Sequence, residues 1–244
     1  MCFKKIPIKN IIYFIIYMKF LYNLSPKIFS IILRIKINHL TFLGIKPLIE
    51  LAYFCHYNEL KKIPGIIIET GAALGGSSIV ITASKNQSRP FYVYDIFERI
   101  PPPGEMDGED AHQRFQTILS GEAKGFGKKP YYGYMGNLVP RVIEQFNHFG
   151  YSVNINNVYL KKGLIEDTLN VNQPVSLAHI DCDWYSPVKT SLERIAPFIS
   201  MGGRFIVDDY DHWSGARKAV DEFLSSQTDF QIERYSRLHL VKIK

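Results

Sequence analysis

Two acid pairs, Asp181-Cys-Asp183 and Asp208-Asp209, each close a short apolar run. The runs are Val175-Ser-Leu-Ala-His-Ile180 and Arg204-Phe-Ile-Val207. Apolar stretches of this length, bounded by turn residues, predict buried parallel strands. Carboxylates at the carboxyl ends of such strands fall in the crevice where open α/β sheets bind ligands. Four acids converging there repel one another unless a hard cation sits between them, and oxygen donors suit Mg²⁺. Asp181, Asp183, Asp208 and Asp209 are therefore the candidate metal ligands. The plain alternative makes them helix caps or ion-pair partners of Lys189, Arg194 or Arg217. That alternative explains one acid better than it explains two clusters at neighbouring strand ends.

A second constellation lies upstream. Glu69-Thr70-Gly71-Ala-Ala-Leu-Gly75-Gly76-Ser77-Ser78 follows the β-branched run Ile66-Ile67-Ile68. This predicts a strand, a glycine turn and a helix beginning near Ser77, whose hydroxyl suits an N-cap. Gly71 and Gly75 would let backbone approach a ligand, and the helix start would offer it N–H groups. Asp95 ends the next strand, Phe91-Tyr-Val-Tyr94, where a carboxylate grips ribose hydroxyls. The spacing is not Gly-x-Gly-x-x-Gly, which disfavours NAD, and no Gly-Lys-Ser/Thr is present, which excludes a P-loop. Of seven histidines, His179 sits inside a strand and reads as a core residue. His212, beside Asp208-Asp209, and His112, beside a proline-rich loop, are placed for acid–base work. Trp184, Tyr185, Tyr210 and Trp213 would wall a pocket or pack the core.

The elements that position these residues alternate. Residues 44–61 carry apolar side chains at helical spacing and stop before Pro64-Gly65. Helices are predicted over 138–149, 186–198 and 213–224, with a further strand over 158–163. Residues 96–110 and 121–130 read as loops, the first a candidate active-site lid. Residues 230–243 alternate as an antiparallel hairpin at a sheet edge. Strands alternating with helices predict a doubly wound, mostly parallel α/β sheet with an antiparallel C-terminal end.

The chain has 244 residues and a net charge of +6. Ten Lys/Arg face only Glu50 and Glu59 within residues 1–64, so the basic character is N-terminal. Residues 1–40 are predicted to form a basic, apolar helical segment ahead of a catalytic domain over 41–244. Its apolar run, residues 11–18, is too short to span a membrane. The segment admits packing on the core or across a dimer, peripheral contact with anionic lipid, or an acidic partner. Its aromatics lie in apolar runs, which argues against nucleic acid. Cys2, Cys55 and Cys182 lack zinc-type spacing, so a reducing, cytoplasmic setting is the plain reading. Cys182, between two acids, is expected to have a raised pKa.

The ordered set of motifs resembles the macrocin-type O-methyltransferases, which methylate hydroxyls on macrolide sugars using S-adenosylmethionine and Mg²⁺. The resemblance runs from about residue 38 to 225. It rests on Ile-Pro-Gly65, Glu69-Thr70-Gly71, Gly75-Gly76-Ser77, Tyr94-Asp95-Ile-Phe97 and Gly163-x-x-x-Asp167-Thr168-Leu169. It continues through Asp181-Cys-Asp183-Trp-Tyr185, Gly202-Gly203, Asp208-Asp209-Tyr210 and Ala219-Val-Asp-Glu-Phe223. It implies a Rossmann-like class I methyltransferase fold, a seven-stranded sheet with extra N-terminal helices. It implies a cofactor pocket from Glu69, Thr70, Gly71, Gly75, Ser77 and Asp95, closed on the adenine side by Asp167 and Thr168. Asp183, Asp208 and Asp209 would hold Mg²⁺, with Asp181 an alternative ligand. Asp183, or else His112 or His212, would take the proton from a hydroxyl of a sugar or other polyhydroxylated acceptor. The resemblance also implies a homodimer paired through N-terminal helices. Ala72-Ala73-Leu74 stands where the family carries a bulkier, basic turn, and residues 1–37 have no counterpart. Two rival readings are a metal-dependent glycosyltransferase, using Asp181 and Asp183 on a nucleotide sugar, and a non-catalytic binding module of the same fold.

Overall fold

The computed structural model describes residues 25–125 and 129–244. Residues 1–24, the larger part of the 1–40 segment given the membrane-contact reading, and 126–128 in the glycine–lysine loop lie outside the described residues. Among those described, no helix is long and apolar enough to cross a membrane.

A seven-stranded sheet has the order β3-β2-β1-β4-β5-β7-β6. Its strands are β1 (Ile66–Thr70), β2 (Phe91–Asp95), β3 (Val158–Lys162), β4 (Val175–Ile180), β5 (Ile199–Val207), β6 (Phe230–Arg234) and β7 (Leu238–Lys242). Strands β1 to β5 run parallel, while β7 pairs antiparallel with both β5 and β6. The expected sheet, with its antiparallel C-terminal end, is thus the one observed.

Helices cover both faces, and strand alternation divides the core between them. Ile67 of β1 points to a cluster shared with α1 (Pro26–Asn38), α2 (Ile45–Leu60), α3 (Gly76–Ser84) and α5 (Val139–His148). Its neighbours Ile66 and Ile68 point to the other cluster, built with α7 (Tyr185–Ile195) and α8 (Ser214–Ser226). The remaining helices are α4 (Glu109–Leu119) and the single turn α6 (Ile165–Thr168). Burial on both faces explains why β1 and β4 read as continuous apolar runs rather than alternating ones.

Helix α1 starts where its sequence dictates. Ser25 accepts from the Ile28 N–H at 3.3 Å, and Pro26 occupies the first turn, where no N–H is needed. Ile31, Ile32 and Ile35 are buried in the core, so this stretch packs as part of the domain.

The start of α3 differs from the sequence reading. Its N-cap is Gly75 (φ 83°), with no side-chain cap, and Ser77 is a buried residue inside the first turn. The Gly76 N–H donates to the Leu40 carbonyl at 3.2 Å. The chain itself fills this helix end, because the segment leaving α1 crosses over it.

Candidate active site

The carboxyl ends of β1, β2, β4 and β5 open into one cavity of about 700 Å³. Gly71, Asp95, Asp181, Asp183, Asp208, Asp209 and His212 all line it. It therefore joins the glycine turn and both acid clusters, which the sequence places over a hundred residues apart. Gly71 has φ 89°, and a Cβ there would lie 1.7 Å from the Asp181 carbonyl oxygen. The two motifs touch backbone to backbone, which only glycine permits.

Asp95 spends its carboxylate on the turn. One oxygen accepts from the Ala72 and Ala73 N–H groups at 2.7 and 2.9 Å, and the other from Phe97 at 2.5 Å. Burial raises its pKa, against the pull of these three donors. This bracing of the turn is one that a strand-end acid alone did not reveal.

Other predicted cofactor residues lie behind the wall. Glu69 is fully buried, accepting from Ser78 Oγ and lying 2.9 Å from His179 Nδ1. His179 is the core residue expected of it. Thr70 is buried against Ser191 Oγ at 3.1 Å. Gly75 packs under Val142 of α5, with Ser77 buried beside it. Around α6 the lining comes from Gly163, Leu164, Ile165 and Glu166, not from Asp167 or Thr168. Glu69, Thr70, Gly75, Ser77, Asp167 and Thr168 therefore shape the turns that line the cavity without lining it themselves. Glu69 and Thr70 still belong to β1, Gly75 and Ser77 to the start of α3, and Asp167 and Thr168 to α6, so the lining falls to the residues of the turns between these elements.

The acids crowd as expected. Burial pushes the Asp181 carboxyl well above the ordinary range, and repulsion from Asp208, Asp209 and Asp183 adds to it. Burial does the same to Asp209, helped by Asp183 and Asp208. Asp183 is raised to about 6, chiefly by burial, against the Trp213 hydrogen bond. That bond, from Trp213 Nε1 to Asp183 Oδ1, is 2.9 Å long, and the Asp183 N–H donates to Asp209 Oδ2 at 2.9 Å. Asp183 itself has φ 60°, a left-handed turn that swings its side chain into the cavity. Cys182 also lines the cavity, and burial raises its pKa well above the thiol range.

The donor set fits a hard divalent cation, since mutual repulsion among buried carboxylates is what such an ion relieves. Ligand atoms of Asp208, Asp209 and His212 all lie within 4.8 Å of one another. Asp181 and Asp183 stand outside that group, while His212, expected as an acid or base, stands inside it. His112 is exposed on α4 and does not line the cavity. Two residues on, across the helix, Arg114 does, with its guanidinium 5.0 Å from the Tyr131 ring centre.

The opposite wall is apolar and aromatic. Phe42, which is 50% exposed, meets the rings of Tyr131 and Tyr132 at 5.9 Å each. Ile100, Pro101 and Pro102 of the proline-rich loop add to it. That loop is tied down. Asp107 accepts from the Tyr185 N–H at 2.7 Å and from Gly104 at 2.9 Å, and Trp184 Nε1 donates to the Pro101 carbonyl at 3.1 Å. Asp110 accepts from the Ser214 N–H at 2.8 Å, at the start of α8. Trp184 and Trp213 line the cavity edge to face, 5.5 Å apart, whereas Tyr185 and Tyr210 do not line it. Sequence reading missed Arg114, on the inward face of α4, and Arg237, Phe42, Tyr131 and Tyr132, which sit in loops and turns without a recurring motif.

A family model described as Macrocin-O-methyltransferase (TylF) matches residues 38–231. The 8-demethyl-8-(2,3-dimethoxy-alpha-L-rhamnosyl)-tetracenomycin-C 4'-O-methyltransferase of Streptomyces olivaceus is 30% identical over 176 residues, 70% of this chain and 62% of that protein. The demethyldecarbamoylnovobiocin O-methyltransferase of Streptomyces niveus is 28% identical over 193 residues, 75% of this chain and 67% of that protein. The chain thus spans under two thirds of the first relative's length. The O-methyltransferase NovP superposes with a TM-score of 0.70 at 21% identity, covering 84% of this chain and 83% of its own. The calicheamicin methyltransferase CalS11 gives 0.57 at 18%, covering 98% and 94%. These two likenesses concern the fold.

Proposed function

Since the chain belongs to the macrocin O-methyltransferase family, we propose that it transfers a methyl group from S-adenosylmethionine to a hydroxyl of a sugar-bearing small molecule, with Mg²⁺ bound at the acid cluster. The observation that carries this reading is the single cavity. A braced glycine turn and an acid cluster share it, so donor and acceptor can meet. The aromatic wall of Phe42, Tyr131 and Tyr132 suits the apolar face of a sugar ring or an aglycone. Both relatives are named as O-methyltransferases, one of a rhamnosyl-bearing tetracenomycin and the other of demethyldecarbamoylnovobiocin.

Gly71, Ala72, Asp95 and the 163–166 turn would hold the cofactor, which supplies an electrophilic methyl group. Asp208 and Asp209, with Asp181 or His212, would hold Mg²⁺, which favours ionisation of a nearby hydroxyl. Asp183 is the base in this scheme. Trp213 occupies its Oδ1, leaving Oδ2 to accept the proton of the acceptor hydroxyl. With a pKa of about 6 it is ionised at neutral pH yet basic enough to work. The tied loop and the two tryptophans exclude water from the transfer. A glycosyltransferase needs Asp181 and Asp183 but has no use for the braced turn. That disfavours the rival.

Calorimetric titration of S-adenosylmethionine, followed by methyl transfer from labelled cofactor to glycosylated acceptors with Mg²⁺ or EDTA, tests the proposal. Micromolar cofactor binding and EDTA-sensitive transfer are expected. A folded sample that binds no cofactor sinks it, and transfer untouched by EDTA removes the metal.

A further inference from the structure

Among the described residues, one cation stands in ion-pair contact with the four acids. Arg237, in the β6–β7 turn, donates from Nε to Asp208 Oδ1 and lines the cavity. Its position is imposed from the far side by Glu50 of α2, a carboxylate only 1% exposed. Glu50 accepts from the Ser236 N–H at 2.8 Å, from Ser236 Oγ and from the Arg237 N–H at 3.3 Å. His239 Nε2 lies 2.7 Å from its other flank, and His239 Nδ1 lies 3.2 Å from Arg204 Nη1. The turn is thus clamped on both main-chain and side-chain groups. A buried carboxylate spent on backbone N–H groups of a surface hairpin is costly unless the geometry it fixes has a use.

We propose that Arg237 is a built-in counter-cation of the metal site, held against Asp208 by Glu50, which sets how tightly the acid cluster binds a divalent ion. Arg237 is a positioning residue here, acting through Asp208. It relieves part of the repulsion among the acids when no metal is bound. The same charge opposes a second cation arriving beside Asp208, so binding is weakened. A metal site so balanced holds its fold without the ion and exchanges the ion readily. The inference rests on the metal reading above.

The test is calorimetric titration of Mn²⁺ into the full chain and into Arg237→Met, Arg237→Lys and Glu50→Gln, with thermal unfolding in EDTA and in saturating Mn²⁺. Arg237→Met is expected to bind Mn²⁺ about tenfold more tightly, the scale of one unit charge beside a divalent site in a partly aqueous cavity. Its midpoint in EDTA falls, and Mn²⁺ restores it. Arg237→Lys stays near the parent value. A merely structural role lowers the midpoint without tightening Mn²⁺. Equal or weaker binding by a folded Arg237→Met overturns the inference while leaving the metal reading intact. If that variant does not fold, Glu50→Gln decides, since release of the turn tightens Mn²⁺ in the same direction and an unchanged affinity overturns the proposal. A parent protein that takes up no Mn²⁺, yet binds S-adenosylmethionine, removes the metal site and this inference together.

Discussion

Asp183→Asn is predicted to make the metal-free protein more stable while removing methyl transfer. The Asp183 carboxyl is raised from 3.8 to about 6 by burial and by its neighbour Asp208, against the Trp213 bond. A folded pKa above the unfolded one means that the native state holds this proton more tightly than the unfolded chain does. The penalty is therefore absent below about pH 3.8, grows between pH 3.8 and 6, and is complete above that window. A shift of roughly two units sets a ceiling of about 3 kcal/mol. Solvent reaches the half-buried side chain, so about 1–2 kcal/mol is the realistic share. Asparagine keeps the carbonyl oxygen that accepts from Trp213 and tolerates the left-handed backbone at φ 60°. The expected gain at pH 7.5 in EDTA is a midpoint rise of about 2–8 °C for a domain of this size. At pH 4 the gain shrinks towards zero, and saturating Mg²⁺ at pH 7.5 reverses its sign, because the ion rewards the carboxylate. Urea and thermal unfolding of both proteins at the two pH values, paired with a transfer assay, measure all of this. An Asn variant less stable than the parent at pH 7.5 in EDTA refutes the electrostatic account of the site.

Three further outcomes are expected. Gly71→Ala places a Cβ 1.7 Å from the Asp181 carbonyl in a left-handed backbone, and should lose at least about 3 kcal/mol by denaturant titration; a loss under 1 kcal/mol contradicts the close approach. Asp95→Asn puts an amide where the carboxylate accepts three N–H groups; with at least one bond lost, at about 1.5–3 kcal/mol, calorimetry should show cofactor affinity falling tenfold or more. An unchanged affinity argues that the turn needs no brace. Asp107→Ala frees the loop from the Tyr185 and Gly104 N–H groups, and steady-state kinetics should show acceptor KM rising severalfold with cofactor affinity unchanged. A matched loss of cofactor binding is the contrary result.

The sheet was legible because its central strands are buried on both faces, so Ile66-Ile67-Ile68 and the run ending at Ile180 carry no competing pattern. Strand-end acids were legible for the same reason, since a charge that interrupts an apolar run has few places to go. What the sequence did not separate is lining from support. Glu69 and Asp95 both end or nearly end a strand, yet one side chain turns into the core and the other into the cavity. Depth along the strand decides this: Glu69 pairs with Val93, so Asp95 lies on the same face of the sheet but two residues further towards the carboxyl end, where the strand opens into the cavity. His112 failed similarly on helical phase, two residues short of Arg114, which faces inward. The free helix start expected near Ser77 was lost to a contact with Leu40, a pairing between distant segments that no local motif encodes. Arg237 is invisible for a like reason, since its meaning depends on Glu50, which is 187 residues away.

The latches on the proline-rich loop bear on any attempt to transplant acceptor preference. Asp107 and Asp110 fasten that loop to Tyr185 and Ser214, residues that begin the two helices following the acid clusters. Gly215 completes the fit, since a Cβ there would lie 2.1 Å from Asp107 Oδ1. A chimera that imports only residues 96–135 from a relative brings a key without its lock. The graft has to carry positions 185, 214 and 215 as well, so the unit that moves intact is a discontinuous set of residues reaching into the helices that follow the acid clusters.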